Sequence, residues 1–247
     1  MAKMKVFVSR QIPEAGLKLL KKKYDVTVSK KNRVLSKKEL IAGTKGKDAL
    51  LCLLTDKIDA SVMKASKKLK VIANYAVGFD NIDVAAATKL GLPASNTPGV
   101  LTDAVADHAC TLLISAARRI AESDRYVRAN KYKGWEPMLM LGEDMKGKTL
   151  GILGLGRIGS AVAQRMAKGF DMKIIYYDIK RNPQFERSLN AKYASVPQLL
   201  KNSDYVSVHV PLLPSTKHLI STKELRMMKN TAYLVNTSRG PVIDEKA

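Results

Sequence analysis

TLGILGLGRIGS, residues 149–160, decides the fold of this chain. Its apolar residues Leu150, Ile152 and Leu153 read as a short buried strand, and Gly154, Gly156 and Gly159 follow it in G-x-G-x-x-G spacing. A helix comes next: Ile158, Val162 and Met166 recur every four residues on one face, and Gly159 and Ala163 are small enough for that helix to lie close to a sheet. Each glycine has its own task. The first turns the chain, the second admits a pyrophosphate to the backbone N–H groups, and the third permits close helix packing. The phosphates then rest on the positive end of the helix dipole. A second strand, KIIYY at residues 173–177, runs into Asp178, which stands 19 residues after Gly159. A carboxylate there accepts hydrogen bonds from the hydroxyls of an adenosine ribose and repels a 2'-phosphate. Strand, glycine turn, helix and acid in this order predict a dinucleotide-binding unit.

A length of 247 residues leaves room for two domains, each with its own core. Hydrophobic content of 46% and charged content of 26% are those of a soluble globular protein, and no apolar run has the length of a membrane span. The start, MAKMKVFVSRQ, lacks the apolar core of a signal peptide. Cys52 and Cys110 both lie in apolar surroundings and read as buried free thiols, which fits a reducing cytoplasm. The net charge of +21 raises a nucleic-acid role, since residues 1–70 alone hold 19 basic and 6 acidic residues. Against it, the lysines are spread over several predicted helices and loops, aromatics make up 6% of the chain, and no zinc-finger or RNA-binding signature is present. The charge therefore reads as solvated lysine faces.

Within the first hundred residues, strands are predicted at 4–8, 24–28, 49–54 and 70–74. Helices are predicted at 13–23, opened by Pro13, at 36–43, with a Ser36/Glu39 capping box, and at 59–66. The alternation means a parallel sheet covered on both faces, a flavodoxin-like α/β unit. Residues 75–83, YAVGFDNID, place Val77 and Gly78 just past a strand's carboxyl end, where open α/β sheets present N–H groups to ligands; the same stretch also reads as a plain turn capped by Asp83. After a turn at Pro98 and Gly99, one long helix is predicted over 102–129, with Val105, Ala109, Leu112, Ala116 and Ile120 on its apolar face and His108 as a structural histidine. The loop 131–146, with Trp135 and Pro137, reads as a linker. Past Asp178, helices are predicted at 183–190, 196–201 and 219–228, and strands at 191–193, 204–210 and 231–235.

Five segments carry a resemblance to a known family: VGFDNIDVAAA (77–87), NTPGVLTDAVADHA (96–109), GKTLGILGLGRIG (147–159), HVPLLPSTKHLI (209–220) and NTSRGPVID (236–244). With these, the chain resembles the D-isomer-specific 2-hydroxyacid dehydrogenases, most closely their glyoxylate and hydroxypyruvate reductase branch. The resemblance implies a flavodoxin-like substrate domain at 1–100 and a Rossmann NAD-binding domain at 101–247, with a small 2-keto acid as substrate. It implies that Val77 and Gly78 offer N–H groups to the substrate carboxylate, that Arg157 and Ile158 meet the pyrophosphate beside Gly154, Gly156 and Gly159, and that Asp178 meets the adenosine ribose. Val210, Pro211 and Thr216 then line the adenine and ribose side, and Thr237, Ser238 and Arg239 reach the nicotinamide end. Arg239 takes the place of the family's catalytic arginine, and a planar guanidinium suits that task because it can hold a 2-keto acid in one pose and polarise its carbonyl.

NAD is the expected cofactor because Asp178 is present, while Lys180 and Arg181 directly after it leave NADP open. A homodimer is the expected assembly. Family members continue past the position of Ala247 with a glutamate and a proton-relaying histidine, and none of His108, His209 and His218 matches that histidine by motif. The Rossmann domain is accordingly expected to stop after its fifth strand and to lack the acid pair. Two other classes stay open on the sequence: a non-catalytic NAD-binding regulator and a charge-driven nucleic-acid binder.

Overall fold

The structure, a computed structural model, describes residues 2–247. The chain separates into two compact units, Met1–Val100 and Leu101–Ala247. The first contains β1 (Lys5–Val8), α1 (Glu14–Lys23), β2 (Asp25–Val28), α2 (Lys37–Thr44), β3 (Ala49–Leu53), α3 (Ala60–Met63), β4 (Val71–Tyr75), α4 (Val84–Lys89) and β5 (Ala94–Ser95). Its sheet is parallel throughout in the order β2-β1-β3-β4-β5, the flavodoxin-like winding. Local signals set the helix starts. Ser36 accepts from the Glu39 N–H while Glu39 reaches back to the Ser36 N–H at 2.7 Å, and Asp59 and Asp83 cap α3 and α4. Beneath the helices, Phe7, Leu40, Leu50, Ile58, Val62 and Ile72 form one of the unit's buried clusters.

The second unit contains α5 (Thr102–Ala117), α6 (Ile120–Arg128), β6 (Thr149–Leu153), α7 (Arg157–Phe170), β7 (Lys173–Tyr177), α8 (Pro183–Leu189), β8 (Lys192–Tyr193), α9 (Val196–Asn202), β9 (Tyr205–Val208), α10 (Thr222–Leu225), β10 (Tyr233–Asn236) and a 3-10 turn at Gly240–Val242. Its parallel sheet runs β10-β9-β6-β7-β8, so β6 lies at the centre and the chain winds outward from it in both directions. β10 is an edge strand in this sheet, paired with β9 and holding it further by a Tyr205–Tyr233 stack with ring centroids 5.3 Å apart. Leu150, Ile152, Val162, Met166, Ile174 and Tyr176 fill the space between sheet and helices.

Four expectations need correction. The single helix over 102–129 is two helices, because the N–H of Glu143 donates to the Ala117 carbonyl at 2.9 Å and ends α5, and Arg119 then takes a left-handed φ of 54°. The buried face of α5 is Ala106, Ala109, Cys110, Leu113 and Ala117, so of the expected face only Ala109 is buried. Small residues lie on the side packed against α7, while Leu112, Ala116 and Ile120 are exposed. The loop 131–146 is no linker; it belongs to the second unit, which buries Met145 and receives the Tyr205 hydroxyl on the Asp144 carbonyl at 3.1 Å. The helix expected at 219–228 shrinks to α10, because Ile220 is extended and pairs with Ile243 as an isolated parallel bridge.

Candidate functional site

Gly154, at the carboxyl end of β6, has φ of +97°, and a Cβ there would stand 2.8 Å from the His209 carbonyl carbon and 2.9 Å from the Val210 nitrogen. Glycine is needed on both counts. A Cβ on Gly159 would meet the Gly154 carbonyl oxygen at 2.1 Å, so α7 can start only this close to β6 if position 159 carries none. Gly156 differs from both: a Cβ there would meet no atom within 4 Å. It caps α7, a 14-residue helix, in extended backbone conformation at φ −72°. Arg157, exposed, and Ile158, half-buried, form the first turn, whose N–H groups have no acceptor inside the helix. Open space over a helix N-terminus, with bare backbone at Gly156, fits a pyrophosphate.

Asp178, immediately after β7, turns one carboxylate oxygen to this loop, where Oδ2 accepts from the Leu155 N–H at 2.6 Å. Gly154 is tied to the same strand through its N–H on the Tyr177 carbonyl at 2.9 Å. The glycine turn and the acid are thus fixed together by two hydrogen bonds from neighbouring strands. They border an open cleft of about 690 Å³ whose lining includes Leu155, Gly156, Asp178, Lys180, Arg181 and Arg187. On the other side of Gly154 comes the segment after β9. Val210 is buried there, and Thr216 closes the turn that follows, its hydroxyl donating to the Pro211 carbonyl at 2.6 Å and accepting from the Leu213 N–H at 2.8 Å. The Thr216 side chain is therefore engaged in its own loop. His209 joins its Nε2 to the Ser207 hydroxyl at 2.8 Å, and burial pushes its pKa down to about 4.

The turn after β10 carries Thr237, Ser238 and Arg239, and Asn236 organises it. Its Oδ1 accepts from the Ser238 N–H at 2.9 Å and from the Ser238 hydroxyl at 2.7 Å, and its Nδ2 donates to the Arg239 carbonyl at 2.8 Å. Arg239 is half-buried and its Nη1 donates to the Ser238 carbonyl at 2.9 Å. The Thr237 hydroxyl is buried and has no hydrogen-bond partner among the described residues, as suits a group that awaits a polar ligand. Asn236 has no assigned role on sequence alone. The available signal was an asparagine two residues ahead of a turn N–H, the Asx-turn spacing.

In the first unit, three asparagine amides build the loop that follows β4. Asn96 Nδ2 donates to the Val77 carbonyl at 2.7 Å, Asn74 Nδ2 donates to the Gly78 carbonyl at 2.9 Å, and Asn81 Nδ2 donates to the Leu53 and Asp56 carbonyls at 3.1 Å each. With both carbonyls taken up, the N–H groups of Val77 and Gly78 donate to no protein acceptor among the described residues. None of the three asparagines was singled out from sequence. Asp83 is a helix cap, accepting from the Ala86 N–H at 2.9 Å. Among the described residues no group of His, Cys, Asp or Glu could hold a metal ion, and no helix is long and apolar enough to cross a membrane.

The family model for the D-isomer specific 2-hydroxyacid dehydrogenase NAD binding domain matches residues 110–247. A glyoxylate reductase of Korarchaeum cryptofilum (strain OPF8) is 54% identical over 246 residues, covering 99% of this chain and 74% of that protein. Among solved structures, a protein from Thermus thermophilus superposes with a TM-score of 0.90 at 40% identity, covering 98% of this chain and 76% of that one. A glyoxylate reductase from Paecilomyes thermophila does so with a TM-score of 0.83 at 34% identity, covering 100% and 77%. With matches of this extent, over both the glycine turn and the arginine turn, the chain belongs to the D-isomer-specific 2-hydroxyacid dehydrogenase family.

Proposed function

We propose that this protein reduces glyoxylate to glycolate, or hydroxypyruvate to the D-2-hydroxy acid, with NADH. NAD(P)-dependent reduction of a small 2-keto acid is the reaction of the enzyme; the choice of substrate is supported by 54% identity to a glyoxylate reductase. The observation that carries the cofactor half is the open space at Gly156, bounded by the Gly154 turn and by Asp178.

Bound NADH would supply the hydride and solvent the proton that completes the hydroxyl, and the chain's own residues bind and orient. In this reading Arg157 and Ile158 hold the pyrophosphate, Asp178 the adenosine ribose, and Val210, Pro211 and Thr216 flank the adenine side. Thr237 and Ser238 border the nicotinamide end. Val77 and Gly78 donate their N–H groups to the substrate carboxylate, and Arg239 fixes the carboxylate and polarises the keto group, holding it in the attack geometry. His209 is assigned no proton transfer: desolvated and joined to Ser207, it is neutral at pH 7 and belongs to the wall behind Gly154.

The assembly we infer is a homodimer. Leu112 on α5, Ile120 and Val127 on α6, and Trp135 and Met138 in the following loop are exposed by 37 to 81%, apolar surface that association would cover. We place the protein in the cytoplasm, on the support of Cys52 and Cys110, both free and buried, with thiol pKa values pushed by burial up to about 12 and about 11.

The test is NADH oxidation followed at 340 nm with glyoxylate, hydroxypyruvate and pyruvate in turn. The proposal expects oxidation that depends on glyoxylate or hydroxypyruvate and is lost in Arg239→Ala. NADH binding without oxidation by any keto acid would favour the NAD-binding regulator instead.

A further inference from the structure

The adenosine end carries a second acid besides Asp178. Lys180, Arg181 and Arg187 line the cleft beside Asp178, a set of cations that suits a 2'-phosphate. The side chains show why Arg181 is not at its disposal. Its Nε donates to Glu186 at 2.8 Å from Oε1 and 3.2 Å from Oε2, and its Nη2 donates to Oε2 at 2.7 Å. Both carboxylate oxygens are used, so the pair is a two-point grip. Glu186 is itself anchored. Its side chain is only 13% exposed, against 64% for Arg181, and the Tyr176 hydroxyl donates to its Oε1 at 2.8 Å. Tyr176 is fully buried, accepts the Asn182 N–H on its oxygen at 2.7 Å, and is packed edge-on against Phe185 and Tyr193. The covered partner therefore sets the position of the exposed one.

We propose that Glu186 is a positioning residue for cofactor choice: by gripping Arg181 it withholds that guanidinium from a 2'-phosphate, so NAD is favoured by Asp178 directly and by Glu186 through Arg181. The proposal rests on the assignment of the adenosine ribose to Asp178 made above. Glu186 stays ionised throughout the neutral range, because the Arg181 guanidinium holds its pKa down at about 2. Without that grip the arginine has the reach of a long, exposed side chain on the cleft rim and a dianionic oxygen cluster to meet.

Dissociation constants for NADH and NADPH, read from nicotinamide fluorescence, test this on the wild type and on Glu186→Gln, Arg181→Ala and the double variant. Glutamine keeps an oxygen for the Tyr176 hydroxyl and removes the charge that holds Arg181. The expected result is an NADPH affinity, relative to NADH, that rises roughly two- to five-fold in Glu186→Gln, the worth of one exposed ion pair. The gain disappears in the double variant, and Arg181→Ala alone leaves the ratio unchanged. A purely structural role for Glu186 would weaken both cofactors alike. The proposal is overturned by an unchanged ratio in Glu186→Gln, by a gain that survives in the double variant, or by a loss of NADPH affinity in Arg181→Ala alone, which needs no variant of Glu186 to fold. With NADH binding intact, each of these sinks the role of Glu186 only. A folded wild type that binds neither cofactor removes the dinucleotide reading and this proposal with it.

Discussion

A Cβ on Gly159 would lie 2.1 Å from the carbonyl oxygen of Gly154, whereas one on Gly156, three residues earlier, would touch nothing. Two glycines of one motif thus answer to different constraints. Gly159 is required by the fold itself, whereas the fold makes no such demand at Gly156, whose bare backbone is kept for the dinucleotide in the proposed reading.

Gly159→Ala is accordingly a stability variant. The added methyl meets backbone, which cannot swing aside, and the expected cost is about 1–3 kcal/mol, the usual range for overpacking. Urea denaturation of the purified protein measures it, and an unchanged midpoint would contradict the close approach of α7 to β6.

Asp178→Ser is expected to raise NADPH use relative to NADH, because it removes the charge that a 2'-phosphate would face. It also removes the acceptor of the Leu155 N–H, so NADH affinity should fall in the same variant. An unchanged ratio of efficiencies for the two cofactors would count against placing the ribose at Asp178.

Stability should depend on His209 between pH 6.5 and about 4. Its folded-state pKa is depressed to about 4 by burial, so the unfolded chain takes up a proton in that window while the folded chain does not. Stability is therefore full above the unfolded value and is lost as pH falls, with a slope approaching about 1.4 kcal/mol per pH unit from this group. His209→Gln keeps a hydrogen-bonding group for Ser207 and should flatten that part of the profile in denaturation midpoints taken at pH 7 and pH 5. A slope as steep as that of the wild type would contradict it.

Leu112→Asp together with Ile120→Asp should shift the protein toward a folded monomer in sedimentation velocity, since both side chains are exposed on the single chain. A wild type that sediments as a monomer at micromolar concentration would contradict the dimer.

What was legible in the sequence was whatever is written in local chemistry. The capping box at Ser36 and Glu39, the proline ahead of α1, the period-four apolar stripe of α7 and the three glycines all specify their own backbone within a few residues. The break at Arg119 is not of that kind. No glycine or proline lies between residues 102 and 129, and α5 ends because a distant loop delivers the Glu143 N–H to the Ala117 carbonyl and presses Gly142 so close that a Cβ there would stand 2.4 Å from the same oxygen. The buried face of α5 departs from the expected one for a related reason. Periodicity favours the larger apolar residues Leu112 and Ile120, whereas close packing on α7 selects the alanines. In the site, the motif residues were visible one by one, but the asparagines that aim the Val77, Gly78 and Arg239 backbone were not, because their partners are carbonyls that any residue carries.

NADH binding to Gly156→Val is the most direct measurement on the dinucleotide site. The backbone at Gly156 is extended and open to a side chain, so the variant should fold, with only the modest loss of thermal midpoint that a poorer helix cap brings, while its branched side chain occupies the space over the first turn of α7. Saturable NADH fluorescence enhancement is expected in the wild type, and its loss in Gly156→Val. Equal binding by the two folded proteins, or none by either, would contradict a dinucleotide site at this turn.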